Sequence, residues 1–171
     1  MVMLKWLKRR WPLMAALVVG LGVWCYLQTR TSPEAQVKKV LRELCESGTK
    51  ADGDGATSGI VKCRGAMNLF APQTELRFGN DFFSGNTNPE EIAANLNRFR
   101  MLFSQVTIGM KDVKIKFKSP EEATVDFIGT LRGTLKSGSR VDELRELICT
   151  LKKQDGKWRI SALRVREILE R

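Results

Sequence analysis

Histidine is absent from all 171 residues. That removes the commonest general base, the usual partner of a nucleophilic serine or cysteine, and the commonest metal ligand. Tyrosine is nearly absent, and the single one, Tyr26, lies in an apolar stretch near the N-terminus. The four cysteines, Cys25, Cys45, Cys63 and Cys149, form no CxxC pair, which argues against a zinc site. Basic residues are not interleaved with aromatics, so no nucleic-acid partner is indicated. No internal repeat is apparent. These gaps leave no catalytic set, no metal site and no cofactor to expect.

One long hydrophobic run is present, and it comes first. Lys5, Lys8, Arg9 and Arg10 precede an uncharged stretch from Trp11 to Leu27. As a helix rising about 1.5 Å per residue it reaches about 25 Å. This is short for a hydrocarbon core about 30 Å thick, but sufficient if Arg10 and Arg30 extend outward. Pro12 suits a first helical turn. Trp6 and Trp11 at one end, and Trp24 and Tyr26 at the other, are placed as interfacial aromatics, and the cation cluster puts the N-terminus inside. A cleaved signal peptide, giving a secreted protein, is the alternative. The exit Trp24-Cys25-Tyr26-Leu27 is bulky where a cleavage site wants small residues. The expected organisation is a cytoplasmic basic segment over 1–10, a membrane-spanning helix over 11–27 in contact with lipid, and an extracytoplasmic domain over 28–171. That makes a single-pass protein of the inner membrane.

Half of the chain's net charge of +10 lies in Lys5, Lys8, Arg9, Arg10 and Arg30. The outer domain keeps the rest along its length, as a solvated basic surface or as an attraction to anionic lipid or polymer. Ser32-Pro33-Glu34 reads as cap, first position and first-turn acid of a helix whose apolar face is Val37, Val40, Leu41, Leu44 and Cys45. Gly48 to Gly59 reads as a mobile connector. Its Asp52-Gly53-Asp54-Gly55 is a poor match to a calcium loop, with Ala56 and Cys63 where ligands would stand. A second helix is expected from about Ser58 to Leu69, with Ile60, Cys63, Met67 and Phe70 on one face. A short strand then alternates through Thr74, Leu76 and Phe78, and Gly79 to Asn88 reads as a loop. Asn88-Pro89-Glu90-Glu91 opens a third helix, with Ile92, Leu96, Phe99 and Phe103 buried.

From Val106 the period becomes two. Val113, Ile115 and Phe117 alternate with Lys114, Lys116 and Lys118. Two further strands follow, turning at Ser119–Glu122 and Lys136–Ser139. Asp155-Gly156 marks a tight type I′ hairpin before a last strand through Trp158, Ile160, Leu163 and Val165, with a bulge near Ala162. The fold class expected is α+β: a cone-shaped, curved antiparallel sheet packed on three helices.

This order, with Leu69-Phe70-Ala71-Pro72 leading into a strand and Asp155-Gly156-Lys157-Trp158-Arg159-Ile160 in the last hairpin, resembles the nuclear transport factor 2-like superfamily, and within it the SnoaL-like branch. The resemblance covers Ser32 to Arg171. It implies a cone with a pocket at its open end, on a fold that serves isomerases, dehydratases and non-catalytic assembly domains alike. The isomerases' tyrosine and the dehydratases' His–Asp pair have no counterpart in the outer domain, so neither catalytic set carries over.

Candidate positions for a pocket or interface are Glu75 and Arg77 on the short strand, Phe82 and Phe83 in the loop after it, and Ile128 and Ile148 on the outer face of the sheet. Ile128 and Ile148 are where a homodimer could form. Asp126, the acid a catalytic reading would choose, has the parity that points away from the pocket. Cys45 and Cys63 are either two free thiols or a disulfide closing a loop of about 18 residues, worth roughly 3 kcal/mol. One anchor followed by this fold resembles the layout of a type IV secretion assembly factor. The expected function is a membrane-anchored, non-enzymatic binding or assembly module engaging another envelope protein. The alternative is a SnoaL-like domain or enzyme holding a small apolar molecule in the cone.

Overall fold

The structure, a computed structural model, describes residues 32–78 and 84–166. The membrane-spanning reading of 11–27, and Phe82 and Phe83, lie outside the described residues. Among those described, no helix is long and apolar enough to cross a membrane. Two compact units are distinguished, Met1–Gln36 and Val37–Arg171. In the first, the Ser32 hydroxyl accepts from the Ala35 N–H (3.2 Å), the cap its sequence calls for.

The elements run α1 Pro33–Gly48, α2 Ala56–Met67, β1 Phe70–Arg77, β2 Ser84–Thr87, α3 Pro89–Leu102, β3 Phe103–Ser119, β4 Glu122–Leu135, β5 Arg140–Gln154 and β6 Lys157–Val165. They form one curved six-stranded sheet in the order β2-β1-β6-β5-β4-β3. Two expectations need correction. The sheet is mixed, not antiparallel, because β1 lies parallel to β6. The segment read as a loop contains a strand, β2, whose Ser84–Thr87 pairs back on Thr74–Arg77.

Pro72 explains how β1 joins β6. A proline has no N–H to donate, so the ladder breaks, and the register slips between Phe70 and Glu75. Fully buried Thr74 fills the gap, its hydroxyl lying 3.1 Å from both the Ala71 and Ile160 carbonyls. The last hairpin follows its turn chemistry, with Asp155 at φ 50° and Gly156 at φ 75°. The bulge foreseen near Ala162 is present, as a register shift opposite Thr150 and Leu151. Asn88 caps α3 by accepting from Glu91 N–H at 2.8 Å.

The core lies between α1, α3 and one half of the concave face. Val37 and Leu41 of α1 and Ile92 and Leu96 of α3 share one buried cluster with Ala123, Val125, Cys149, Leu151 and Ile160 of the sheet. α2 contributes small residues: Cys63 and Ala66 are buried, while Ile60, expected inside, is 44% exposed.

Candidate functional site: an apolar cavity and a clamped connector

The strands of the sheet outrun the helices that cover them. Along β4, Ala123, Val125 and Phe127 are buried, but Gly129, Leu131 and Gly133 on the same face are only half-covered. Gly129 and Leu131 leave this part of the concave face only half-filled, while the space beside Gly133 is taken by the Gln105 carbonyl and the Phe103 ring. The result is an open cavity of about 1280 Å³. Its helical wall is Leu41, Leu44 and Cys45 of α1 with Ile92, Leu96 and Phe99 of α3. Its sheet wall includes Leu76 and Phe78, Phe103 and Ile108, Phe127 and Leu131, and Leu147 and Leu163. The volume exceeds the roughly 300–1,000 Å³ usual for small-molecule sites.

The charged residues of the cavity lining are Arg77, Glu143, Arg145, Glu146, Arg164 and Arg166. Glu143 and Arg145 share the concave parity of Leu147 and Cys149, and Arg145 donates to Glu143 at 3.3 Å. Deeper in, the titratable wall group is the Cys45 thiol, pushed up to about 11 by burial and by the neighbouring Glu46 charge. A thiol so placed stays protonated at neutral pH and is a poor nucleophile. Burial also raises the Cys63 and Cys149 thiols. All three are free, and the Cys45–Cys63 pairing is not made. Among the described residues no cluster of three or more acids, cysteines or histidines could hold a metal ion.

The connector between α1 and α2 is not the loose segment its glycines imply. Arg100 of α3, 3% exposed, reaches beneath it. Its Nη1 donates to the Ser47 carbonyl at 2.9 Å and to the Thr49 carbonyl. Its Nη2 donates to Asp54 at 3.2 Å. Lys62 adds a second cation to Asp54 at 2.9 Å. The Lys62 hydrogen bond is the main reason the Asp54 carboxyl titrates below the usual range, with a backbone bond from Ala51 and the Arg100 contact adding to it. Asp54, one of the two acids of the calcium-like motif, is therefore committed to two protein cations. Beside it, Lys50 pairs with Val106 through both backbone bonds (2.7 and 3.0 Å), and Thr49 Oγ1 accepts from Ile108 N–H at 3.1 Å. These contacts close part of the otherwise open edge of β3. Arg100 was invisible to sequence reasoning because its neighbours on the helix are ordinary. The only cue was an arginine three positions before Phe103 and one after Phe99, both on the apolar face.

The other candidate positions are not gathered into a site. Glu75 and Arg77 form a local pair on β1 (Oε1–Nε 2.6 Å), and Arg77 borders the cavity. Ile128 and Ile148 are half-buried at convex-face register positions among charged side chains, and Ile148 also borders the cavity. Asp126 points out on that face, as its parity requires, and accepts from Arg166 at 2.9 Å.

Residues 85–169 match the family model of the anti-sigma-I factor RsgI9 C-terminal domain. No curated protein matches the chain. Solved structures do. LinA superposes with a TM-score of 0.64 at 14% identity, covering 80% of this chain and 86% of that one. Hexachlorocyclohexane dehydrochlorinase LinA-type3 from Novosphingobium barchaimii gives 0.63 at 13%, covering 80% and 87%. Aln2 from a Streptomyces species gives 0.60 at 19%, covering 80% and 92%. At such identities the likeness concerns the backbone alone, and proteins sharing it include enzymes. The chain therefore carries a nuclear transport factor 2-like, SnoaL-like fold: a curved mixed sheet of six strands with three helices.

Proposed function

We propose that the protein is a non-enzymatic binding module, tethered to a membrane through residues 11–27, whose cavity receives an apolar ligand. The observation that carries this reading is the cavity itself. It is open and walled largely by leucine, isoleucine and phenylalanine, and the two acids of its lining, Glu143 and Glu146, are each held by an arginine. Two features distinguish this from a filled scaffold that assembles through its sheet. The concave wall beyond Phe127 is only half-covered at Gly129 and Leu131, and the convex face around Ile128 and Ile148 is charged. The expected partner in the envelope would then be reached through a bound molecule or a rim contact, not through an apolar sheet-to-sheet dimer. The match to an anti-sigma-I factor domain favours a regulatory outcome, in which occupancy of the cavity is a signal relayed to a partner.

The test uses full-length protein excised from native membranes in polymer-bounded discs, without detergent. Bound organic molecules are extracted and compared with those of Leu147→Trp, which fills the sheet wall. An apolar species enriched in the wild type and lost in the variant is the expected result. Identical extracts would refute the reading. Thiol labelling of an engineered cysteine near residue 3, on intact and on opened cells, tests the tether: labelling of intact cells would contradict an inside N-terminus.

A further inference from the structure

The convex face of the sheet holds a charge imbalance that neither the core nor the cavity explains. Strand register places four acids in one half of this face, Glu75, Glu122, Asp126 and Glu146. Each is already engaged. Arg77 holds Glu75, Lys118 holds Glu122, and Arg166 is shared by Asp126 and Glu146. Among them stand Lys111, Lys114, Lys116, Lys152, Arg159 and Arg164, which make no ion pair among the described residues. Within the same patch, the Arg159 Nε and the Thr124 Oγ1 are buried and lack any hydrogen-bond partner among the described residues.

The layout is linear. Lys114 and Lys116 precede Lys118 at two-residue steps along β3, about 6.7 Å apart, with neighbouring strands about 4.8 Å away. Arg164, Ile148, Asp126 and Lys114 form one row across the sheet. We propose that this patch binds a linear polyanion, a chain bearing phosphate or carboxylate groups. Asp112, in the bulge between Lys111 and Lys114 and without an ion pair among the described residues, offsets one of the six cations, and the remaining five supply the counter-charge. The patch carries no aromatic side chain on which bases could stack, which disfavours single-stranded nucleic acid. It has no exposed aromatic or large aliphatic residue to enter a bilayer, which disfavours a lipid surface.

The test uses full-length protein in discs of zwitterionic lipid, titrated with fluorescent linear polyphosphate. Binding should weaken with salt, with a slope of log K on log salt of about −3, as expected for roughly four displaced counterions. Lys114→Gln/Lys116→Gln/Arg164→Gln should lose roughly tenfold in affinity at low salt. Lys38→Gln/Lys39→Gln/Arg98→Gln, which removes the same charge from the helices, should change it less than about twofold. Equal losses in both triple variants, or no binding by the wild type, would overturn the proposal. Tighter binding to oligothymidylate or to discs of anionic lipid would also overturn it, in favour of that partner. Arg164 also lines the cavity whereas Lys114 and Lys116 do not, so the double variant Lys114→Gln/Lys116→Gln, which should show most of the same loss, separates this proposal from the cavity reading.

Discussion

Replacing Arg100 by methionine should unfold the connector before it affects anything else. Methionine keeps the length and apolar stem of the arginine, so little packing volume is lost. It removes the donors to the Ser47 and Thr49 carbonyls and the contact with Asp54. Hydrogen bonds from a charged donor contribute about 1.5–3 kcal/mol each, and a buried carbonyl left bare costs a further 1–3 kcal/mol. Water can reach the connector once the clamp opens, which recovers part of that loss, so the net cost is about 3 kcal/mol. At about 2–8 °C of melting temperature per kcal/mol for domains in this size range, the shift is on the order of 10 °C. Pulse proteolysis of full-length protein in lipid discs across a urea series would read it. Cleavage should appear first between residues 49 and 58. Arg100→Lys keeps one charged donor but not the fork, and should fall between the two. If Arg100→Met matched the wild type within about 0.5 kcal/mol, the clamp would carry no stability and the reasoning would fail.

Further outcomes follow from the same geometry. Asp54 titrates below the ordinary carboxyl range in the folded state, so its contribution is present above the unfolded value of about 3.9 and is lost as pH falls through the lower folded value. Wild-type stability should therefore drop more steeply than that of Asp54→Asn between about pH 5 and pH 3; parallel curves would remove this linkage. Cys45, pushed up to about 11, should be alkylated on the order of 100-fold more slowly than a free cysteine at pH 8. Residue-resolved mass spectrometry measures this, and a free-thiol rate would place Cys45 outside the cavity wall. Gly133→Ala would set a Cβ 2.6 Å from the Gln105 carbonyl and 3.0 Å from the Phe103 ring, which are not free to move. It should cost about 1–3 kcal/mol by denaturation, and a neutral result would mean that the β3–β4 approach is looser than described. Asn88→Ala should cost about 1 kcal/mol through loss of the α3 cap, again read by denaturation.

Much of this fold is legible because local signals and global packing agree. Asp155-Gly156 both fits and forms its turn, Asn88-Pro89 both caps and starts its helix, and the period-two stretches became β3 to β6. The parallel pairing of β1 with β6 was not legible. It joins residues some ninety positions apart, and short-range alternation says nothing about which strand lies beside which. Pro72 hinted at a break in the ladder but not at the direction of the neighbour. The glycine-rich connector misled because composition reports the freedom of a chain and not what grips it. Arg100 and Asp54 hold it through contacts no local pattern encodes. The cavity was implied by the resemblance, whereas which residues line it, Gly129 and Leu131 among them, is established only by the register. The convex-face cations were visible as Lys114, Lys116 and Lys118, but their excess appears only once Glu75, Glu122, Asp126 and Glu146 are seen to be paired.

The central claim is that the concave cavity is a binding site for an apolar molecule. A structure of the full-length protein, taken from native membranes without detergent, tests it most directly. The account predicts continuous non-protein density against Phe99, Phe127 and Leu147, with the Glu143–Arg145 pair at its outer end. A cavity closed by inward collapse of those side chains, or filled with ordered water, would contradict it.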